Sequence, residues 1–200
     1  IILISLTCVS LTMAENNSPE NVLKKNITEI LTLLNISISN NENKIINKEQ
    51  KNNELFKKLQ KMFDFRTLSM GVLGKNWKKF SDKEKITFIE LFSHCVADYY
   101  FAKIKTQGIK EISIKYIKTK ILPPTKSGIE RAEIYTEVNY NNIATPIDYK
   151  MLKKQKGFWR IYDVKIEGVS LVSNYRDQYN KKFMDIPEKI IKELKNKLGK

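Results

Sequence analysis

Two cysteines and a single histidine in 200 residues leave little material for covalent staples or metal sites. Two thiols cannot build a disulfide scaffold or a Cys-rich zinc module. One imidazole excludes the common multi-histidine metal sites. Seven glycines and five prolines exclude collagen-like and low-complexity architectures. Arginine is also scarce: 4 of the 36 basic residues are Arg and the rest are Lys. Nucleic-acid readers lean on the planar guanidinium fork, which matches phosphates and guanine edges. The net charge of +14 is therefore a weaker sign of a nucleic-acid partner than its size suggests. Lys, Asn and Ile share AT-rich codons, and all three are abundant here. Part of the charge is codon usage expressed on surface positions. What remains is a chain with 42% apolar residues, enough for a core, and of a length that favours one domain.

Residues 1–14, IILISLTCVSLTMA, carry no charge. The run is too short to span a bilayer as a helix, which takes about 20 apolar residues. It fits the apolar part of a secretory signal, with Thr12 and Ala14 at the two positions a signal peptidase reads. The expectation is export and cleavage after Ala14, with the basic start of the signal missing before Ile1. A single domain then covers 15–200. Cys8 does not read as a lipoprotein site, because Ser5 and Thr7 stand where Leu and a small residue are needed. Cleavage leaves no second cysteine to bond with Cys95, which stands on an apolar helix face that predicts an inert thiol.

Apolar residues recur at helical spacing from Ser18 to Leu34 and again from Glu54 to Phe63. Residues 35–53 between them are Asn-rich and weakly periodic. Gly71 and Gly74 interrupt the stretch FDFRTLSMGVLGKNW. Ser81 and Glu84 form an S-x-x-E capping box ahead of a helix over 82–106. After Gly108 the period falls to two: Ile112, Ile114 and Tyr116, then Ala132 to Tyr140, then Ile147, Tyr149 and Met151, then Phe158 to Ile166. Polar turns separate these runs, at Pro123-Pro124 with Gly128, at Asn141-Asn142, and at Lys153–Gly157. Four such runs in sequence predict an antiparallel meander. Two further helices come after them, over 169–184 and 187–198. The fold class is α+β, a four-stranded antiparallel sheet packed against N-terminal and C-terminal helices.

Nothing in the sequence demands catalysis. His94 and Cys95 are adjacent on a helix and point about 100° apart, so they cannot form a catalytic pair. Asp148, Asp163 and Glu167 are conceivable acid–base carboxylates, but Asp163 and Glu167 flank a turn and suit capping or pairing with a cation. Walker, GxGxxG, HExxH and CxxC motifs are missing. Lys153, Lys154 and Lys156 make either a solvated hairpin tip or a site for an anionic membrane or acidic partner. The aromatics in or beside the sheet fall on the face that the helices must cover, which speaks against the exposed stacking platform of an RNA-binding sheet.

From Val22 to Leu198 the chain resembles the MlaC family of periplasmic phospholipid-binding, toluene-tolerance proteins. The residues that carry the resemblance are Phe63–Trp77, the Ser-capped helix with Phe88 and Phe92, Thr145–Met151, and above all FWRIYDVKIEGVSLVSNYRDQY over Phe158–Tyr179. The resemblance implies a twisted antiparallel sheet packed on helices, with an apolar pocket between the layers. It implies a soluble periplasmic carrier of phospholipid with no enzymatic activity and no cofactor beyond the bound lipid. Such a carrier serves an ABC transporter and maintains outer-membrane lipid asymmetry. Its partners would be an MCE-domain inner-membrane complex, an outer-membrane lipoprotein–porin complex and, transiently, membrane surfaces, but not nucleic acid.

Physical chemistry makes the same demand on a carrier. Each methylene left in water costs about 0.8 kcal/mol, so two acyl chains exposed in full cost on the order of 24 kcal/mol. Only a deep apolar pocket can take them, while the headgroup stays outside. The expected lining is Tyr149 and Met151 on the third strand and Tyr162, Val164 and Ile166 on the fourth, with Val169 and Leu171 at the mouth. Phe65, Leu68, Val72 and Leu73 would form one wall, and Phe88, Leu91, Phe92, Val96 and Tyr99 another. Gly168 is expected in a turn, and Trp77, Asp163 and Arg176 are expected to be structural. A small-substrate enzyme, which would need a polar dyad inside the pocket, and a nucleic-acid-binding protein are the alternatives.

Overall fold

The structure is a computed structural model that describes residues 17–39, 48–107, 112–140, 143–155, 157–183 and 186–199. The signal-like segment and Cys8 lie outside the described residues, as do Lys156 and the turn pair Asn141-Asn142. Helices come first: α1 (Pro19–Ser39), α2 (Lys48–Met62), α3 (Phe65–Leu73) with an ensuing 3-10 turn (Gly74–Lys79), and α4 (Asp82–Gln107). The strands β1 (Ile112–Leu122), β2 (Glu130–Tyr140), β3 (Ile143–Lys153), β4 (Arg160–Ile166) and β5 (Val169–Ser170) come next. Two helices end the chain, α5 (Leu171–Phe183) and α6 (Pro187–Lys197). All strand pairs are antiparallel and the sheet order is β1-β2-β3-β4-β5. The sheet has five strands rather than the four expected, because Val169 and Ser170 pair back onto β4 before α5 begins.

Local chemistry explains the boundaries. Ser18 caps α1, its hydroxyl accepting from the Asn21 amide at 3.2 Å, with Pro19 in the first turn. The capping box closes as expected: the Glu84 amide donates to Ser81 Oγ at 3.3 Å, and the Ser81 amide to Glu84 Oε2 at 2.7 Å. Hydrogen bonds from Ser81 hold the Glu84 carboxyl below its usual range. Asp64 caps α3, accepting from the Thr67 amide at 2.8 Å. Its own amide donates to the Ile161 carbonyl at 2.8 Å, which pins the α2–α3 corner to β4. The Glu167–Gly168 pair makes a two-residue hairpin turn with φ of 51° and 80°. Both values lie in the left-handed region, which the primed hairpin turns require and glycine adopts without strain.

Two large apolar clusters dominate the interior, and a smaller third one joins Leu34, Leu55, Ala97 and Phe101. The first joins α3, α4, α5 and α6 through Leu68, Val72, Phe88, Phe92, Tyr179 and Ile190. The second lies on the inner sheet face, where Ala132, Ile134, Met151, Ile161 and Val164 meet Leu23 and Ile27 of α1 and Met62 of α2. The outer sheet face is polar. Tyr135 and Tyr162 lie there rather than under the helices, the Tyr135 hydroxyl donating to Glu133 at 2.7 Å. The expectation that the sheet aromatics all occupy the covered face therefore fails for these two.

Candidate functional site

Between the inner sheet face and the helices is a cavity of about 240 Å³. One wall comes from α1 (Ile27, Ile30, Leu31, Leu34), another from α2 and α3 (Leu59, Met62, Phe63, Phe65, Leu68). Val96, Ala97, Tyr100 and Phe101 of α4 close one side, and Ile147, Tyr149, Val164 and Ile166 form the sheet floor, with Leu171 at the start of α5. Among the described residues, no carboxylate, imidazole, thiol or ammonium belongs to this lining.

The polar side-chain atoms of these described residues are two phenol oxygens. Burial pushes the Tyr149 hydroxyl far above the usual tyrosine range, with the Tyr116 phenol adding to it. Burial, then Tyr99, likewise raises Tyr100. Both phenols are neutral at any physiological pH, so the cavity carries no charge. Tyr100 and Ile166 also border a more polar groove of about 650 Å³, lined by Asp98, Asn174, Gln178 and Lys197 among others.

Seven of the sixteen expected lining residues stand around the cavity: Phe65, Leu68, Val96, Tyr149, Val164, Ile166 and Leu171. The other nine stand elsewhere. Val72, Leu73, Phe88, Leu91 and Phe92 fill the helical cluster. Met151 is on the inner sheet face, in the packed part with Ala132, Ile134 and Ile161. Tyr99 and Val169 are 50% and 60% exposed. Tyr100, four residues after Val96, continues the inward row of α4, and Tyr99 falls beside it, ring edge to ring at 5.1 Å.

Tyr162 is displaced by a β-bulge. Met151 pairs with Ile161 and Lys150 with Asp163, so Tyr162 is the extra residue and projects to the outer face beside Asp163. Beyond the bulge, Val164 and Ile166 return to the inner face.

Sequence reasoning misses the α1 and α2 walls, together with Phe63, Ile147 and the α4 residues Ala97, Tyr100 and Phe101. The signal is present in the helical spacing of Ile27, Ile30, Leu31 and Leu34. Periodicity marks an apolar face without saying which layer it covers.

Asp163, Arg176 and Trp77, expected to be structural, each make contacts within the fold. Asp163 is 4% exposed and accepts from Ser170 Oγ at 2.8 Å and from the Val172 amide at 3.2 Å, capping α5. Arg176 Nε donates to the Gly71 carbonyl at 2.6 Å. Trp77 lies under Arg66 and Lys85, at 5.7 and 5.6 Å. His94 stacks on Phe56 at 3.8 Å, and Cys95 is half-buried against the Leu194 carbonyl.

The basic loop also changes meaning. Lys154 pairs with the buried Asp64 at 2.6 Å and Lys153 with Glu130 at 3.1 Å, so these two ammoniums are engaged within the protein.

The model of the MlaC protein family matches residues 27–196. The chain belongs to the MlaC family. Among solved structures it is similar to a phospholipid-binding protein from Ralstonia solanacearum, determined in complex with a phospholipid at 1.53 Å resolution. The TM-score is 0.72 at 17% identity, over 88% of this chain and 94% of the other, so the two folds correspond along most of both chains. A search of curated proteins returns no match. No described helix is long and apolar enough to cross a membrane.

Proposed function

We propose that this MlaC-family protein holds a phospholipid by its acyl chains in the cavity between sheet and helices. It would act as a periplasmic carrier between the outer and inner membranes, serving an MCE-type ABC transporter and maintaining outer-membrane lipid asymmetry. The observation that carries the reading is the lining: eighteen described residues from seven helices and strands and the α2–α3 corner, all apolar or aromatic, with no ionisable group among them that titrates near neutrality. A pocket of that chemistry can bind chains of methylenes and offers no dyad for acid–base work. The bordering groove with Asn174, Gln178 and Lys197 gives a headgroup a wet place beside the dry one.

Sites for drug-sized molecules measure roughly 300–1,000 Å³, and a two-chain lipid is larger than those molecules. At about 240 Å³ the cavity must widen to load. The movable wall is α1, which faces the sheet chiefly through Leu23 and Ile27 and through polar contacts at its first turns, Glu20 with Thr119 and Lys24 over the Tyr116 ring.

Native mass spectrometry of the protein purified from a bacterial host without detergent tests the reading. The expected spectrum shows one phospholipid mass per chain. A spectrum of the bare chain alone would overturn it.

A further inference from the structure

On the opposite face of β3 and β4 from the cavity lies a second concavity of about 620 Å³, bounded by the outer sheet face, α3 and the start of α5. Strand alternation makes the contrast: Tyr149, Val164 and Ile166 point to the cavity, and Lys150 and Lys165 point the other way. Three cations converge there, Lys150, Lys165 and Arg176, against one carboxylate, Asp163. Asp163 is nearly covered and already satisfied by Ser170, by the Val172 amide and by Lys150 at 3.5 Å. The lining itself therefore carries a net charge of +2, part of which is offset by acids that flank it on the sheet. Two acids flank the cations on the sheet, Asp148 opposite Lys165 and Glu133 opposite Lys150; burial holds the Asp148 carboxyl above its usual range, with Lys165 opposing the effect and Glu133 adding to it.

Arg176 is held for this task. Its Nε is spent on the Gly71 carbonyl, which fixes the plane of the guanidinium and leaves both terminal nitrogens without a partner among the described residues. Two glycines make the floor under it. A Cβ on Gly71 would stand 2.8 Å from Val172 Cγ1, and one on Gly74 would stand 3.4 Å from Arg176 Cδ and Nε. Gly74 has φ of +54°, so a side chain there is strained as well as crowded. The Ser173 hydroxyl stands at the rim. A pre-oriented guanidinium fork with ammoniums on the sheet side suits a multiply charged oxyanion. A phosphate monoester carries about −1.5 to −2 at neutral pH and three acceptor oxygens, enough to engage the guanidinium fork and an ammonium together.

We propose that the cleft formed by Arg176, Lys150 and Lys165 is a second binding site, for a phosphate monoester group, on the face away from the apolar cavity. The group can come from a soluble phosphate compound or from a phosphatidic acid headgroup at a membrane surface.

The experiment is a titration of the full chain with inorganic phosphate, monitored by amide NMR shifts, beside co-sedimentation with phosphatidylcholine vesicles containing phosphatidic acid. Saturable shifts at Gly71, Lys165 and Ser173 are expected in the millimolar range. Arg176→Gln should weaken phosphate binding about tenfold. Lys165→Gln keeps the Arg176–Gly71 bond and so the fold, and should weaken binding several-fold. Lys115→Gln, an exposed lysine of β1, should change nothing. Vesicle binding that falls in the same two cleft variants assigns the phosphate to a headgroup. Phosphate binding with vesicle binding unchanged assigns it to a soluble compound. Shifts that do not saturate, or a loss in Lys115→Gln equal to that in Lys165→Gln, overturn the proposal.

Discussion

Around Phe88 and Phe92 the interior is filled, while between α1 and the sheet it is hollow. The filled region stacks flat rings: Phe88 on Phe92 at 5.3 Å, with Tyr175 and Tyr179 edge-on to Phe92 at 5.0 and 6.4 Å. The hollow region sets the mainly aliphatic face of α1 across from a pleated sheet. One helix serves both. The first half of α4 gives Phe88, Leu91 and Phe92 to the cluster, and its second half gives Val96, Ala97, Tyr100 and Phe101 to the cavity. Apolar content is similar on the two sides. What differs is whether side chains from the facing elements interlock, and that decides which region can take a ligand.

The largest effect should come from emptying the filled side. Phe92 is fully buried and meets three other rings. Phe92→Ala should destabilise the fold by about 3–5 kcal/mol, read as a drop in the urea midpoint. Lipid content per folded molecule should stay as in the wild type. Next in size is overfilling on the same side. Val72, 1% exposed in the helical cluster, has no room for a ring, and Val72→Phe should cost about 1–3 kcal/mol.

A smaller effect belongs to the corner that joins the two regions. Asp64 caps α3 and pairs with Lys154. Burial acts to raise its carboxyl pKa, but the Lys154 ammonium and the Thr67 amide outweigh it and hold the group below its usual range. A carboxyl lowered on folding adds stability that is present above its unfolded value, near 3.9, and is lost as pH falls through the folded one. Asp64→Ala should therefore cost about 1 kcal/mol at neutral pH. The gap to the wild type should narrow in denaturation measured at progressively lower pH through the acid range. A gap that is constant with pH would show that the carboxylate is not the stabilising form.

The same contrast explains what can be read in advance. The Ser81–Glu84 box, the change of period after Gly108 and the Glu167–Gly168 turn are local, and each has a signature of a few residues. The hollow is not local. Phe92 and Leu31 are both apolar residues at helical spacing, and only the packing of distant elements makes one a plug and the other a wall. The bulge that sends Tyr162 to the outer face inserts one residue into an otherwise regular alternation, Ile161 to Ile166, and no residue type in that run announces it. The β5 pairing and the Arg176 cleft depend on the same register. The family resemblance implies a pocket, but reading an element correctly does not say which of its apolar residues border that pocket: the helix expected over 82–106 forms, yet Phe88, Leu91 and Phe92 face the helical cluster.

The smallest expected change in stability is the one that separates filled from hollow. Val164 sits on the cavity floor, 8% exposed, on a strand that tolerates aromatic residues. Val164→Phe adds the same group as Val72→Phe to a residue of the same type. A ring projecting into open space displaces no packed neighbour and gains contacts, so the overpacking term that governs Val72→Phe does not apply. The urea midpoint of Val164→Phe should stay within about 0.5 kcal/mol of the wild type, as for an ordinary tolerated change. Its native mass spectrum should lose the lipid adduct, because the ring takes up volume that an acyl chain needs. A variant that is destabilised as much as Val72→Phe and still carries lipid would mean that the ligand lies elsewhere and that this region is packed like the other.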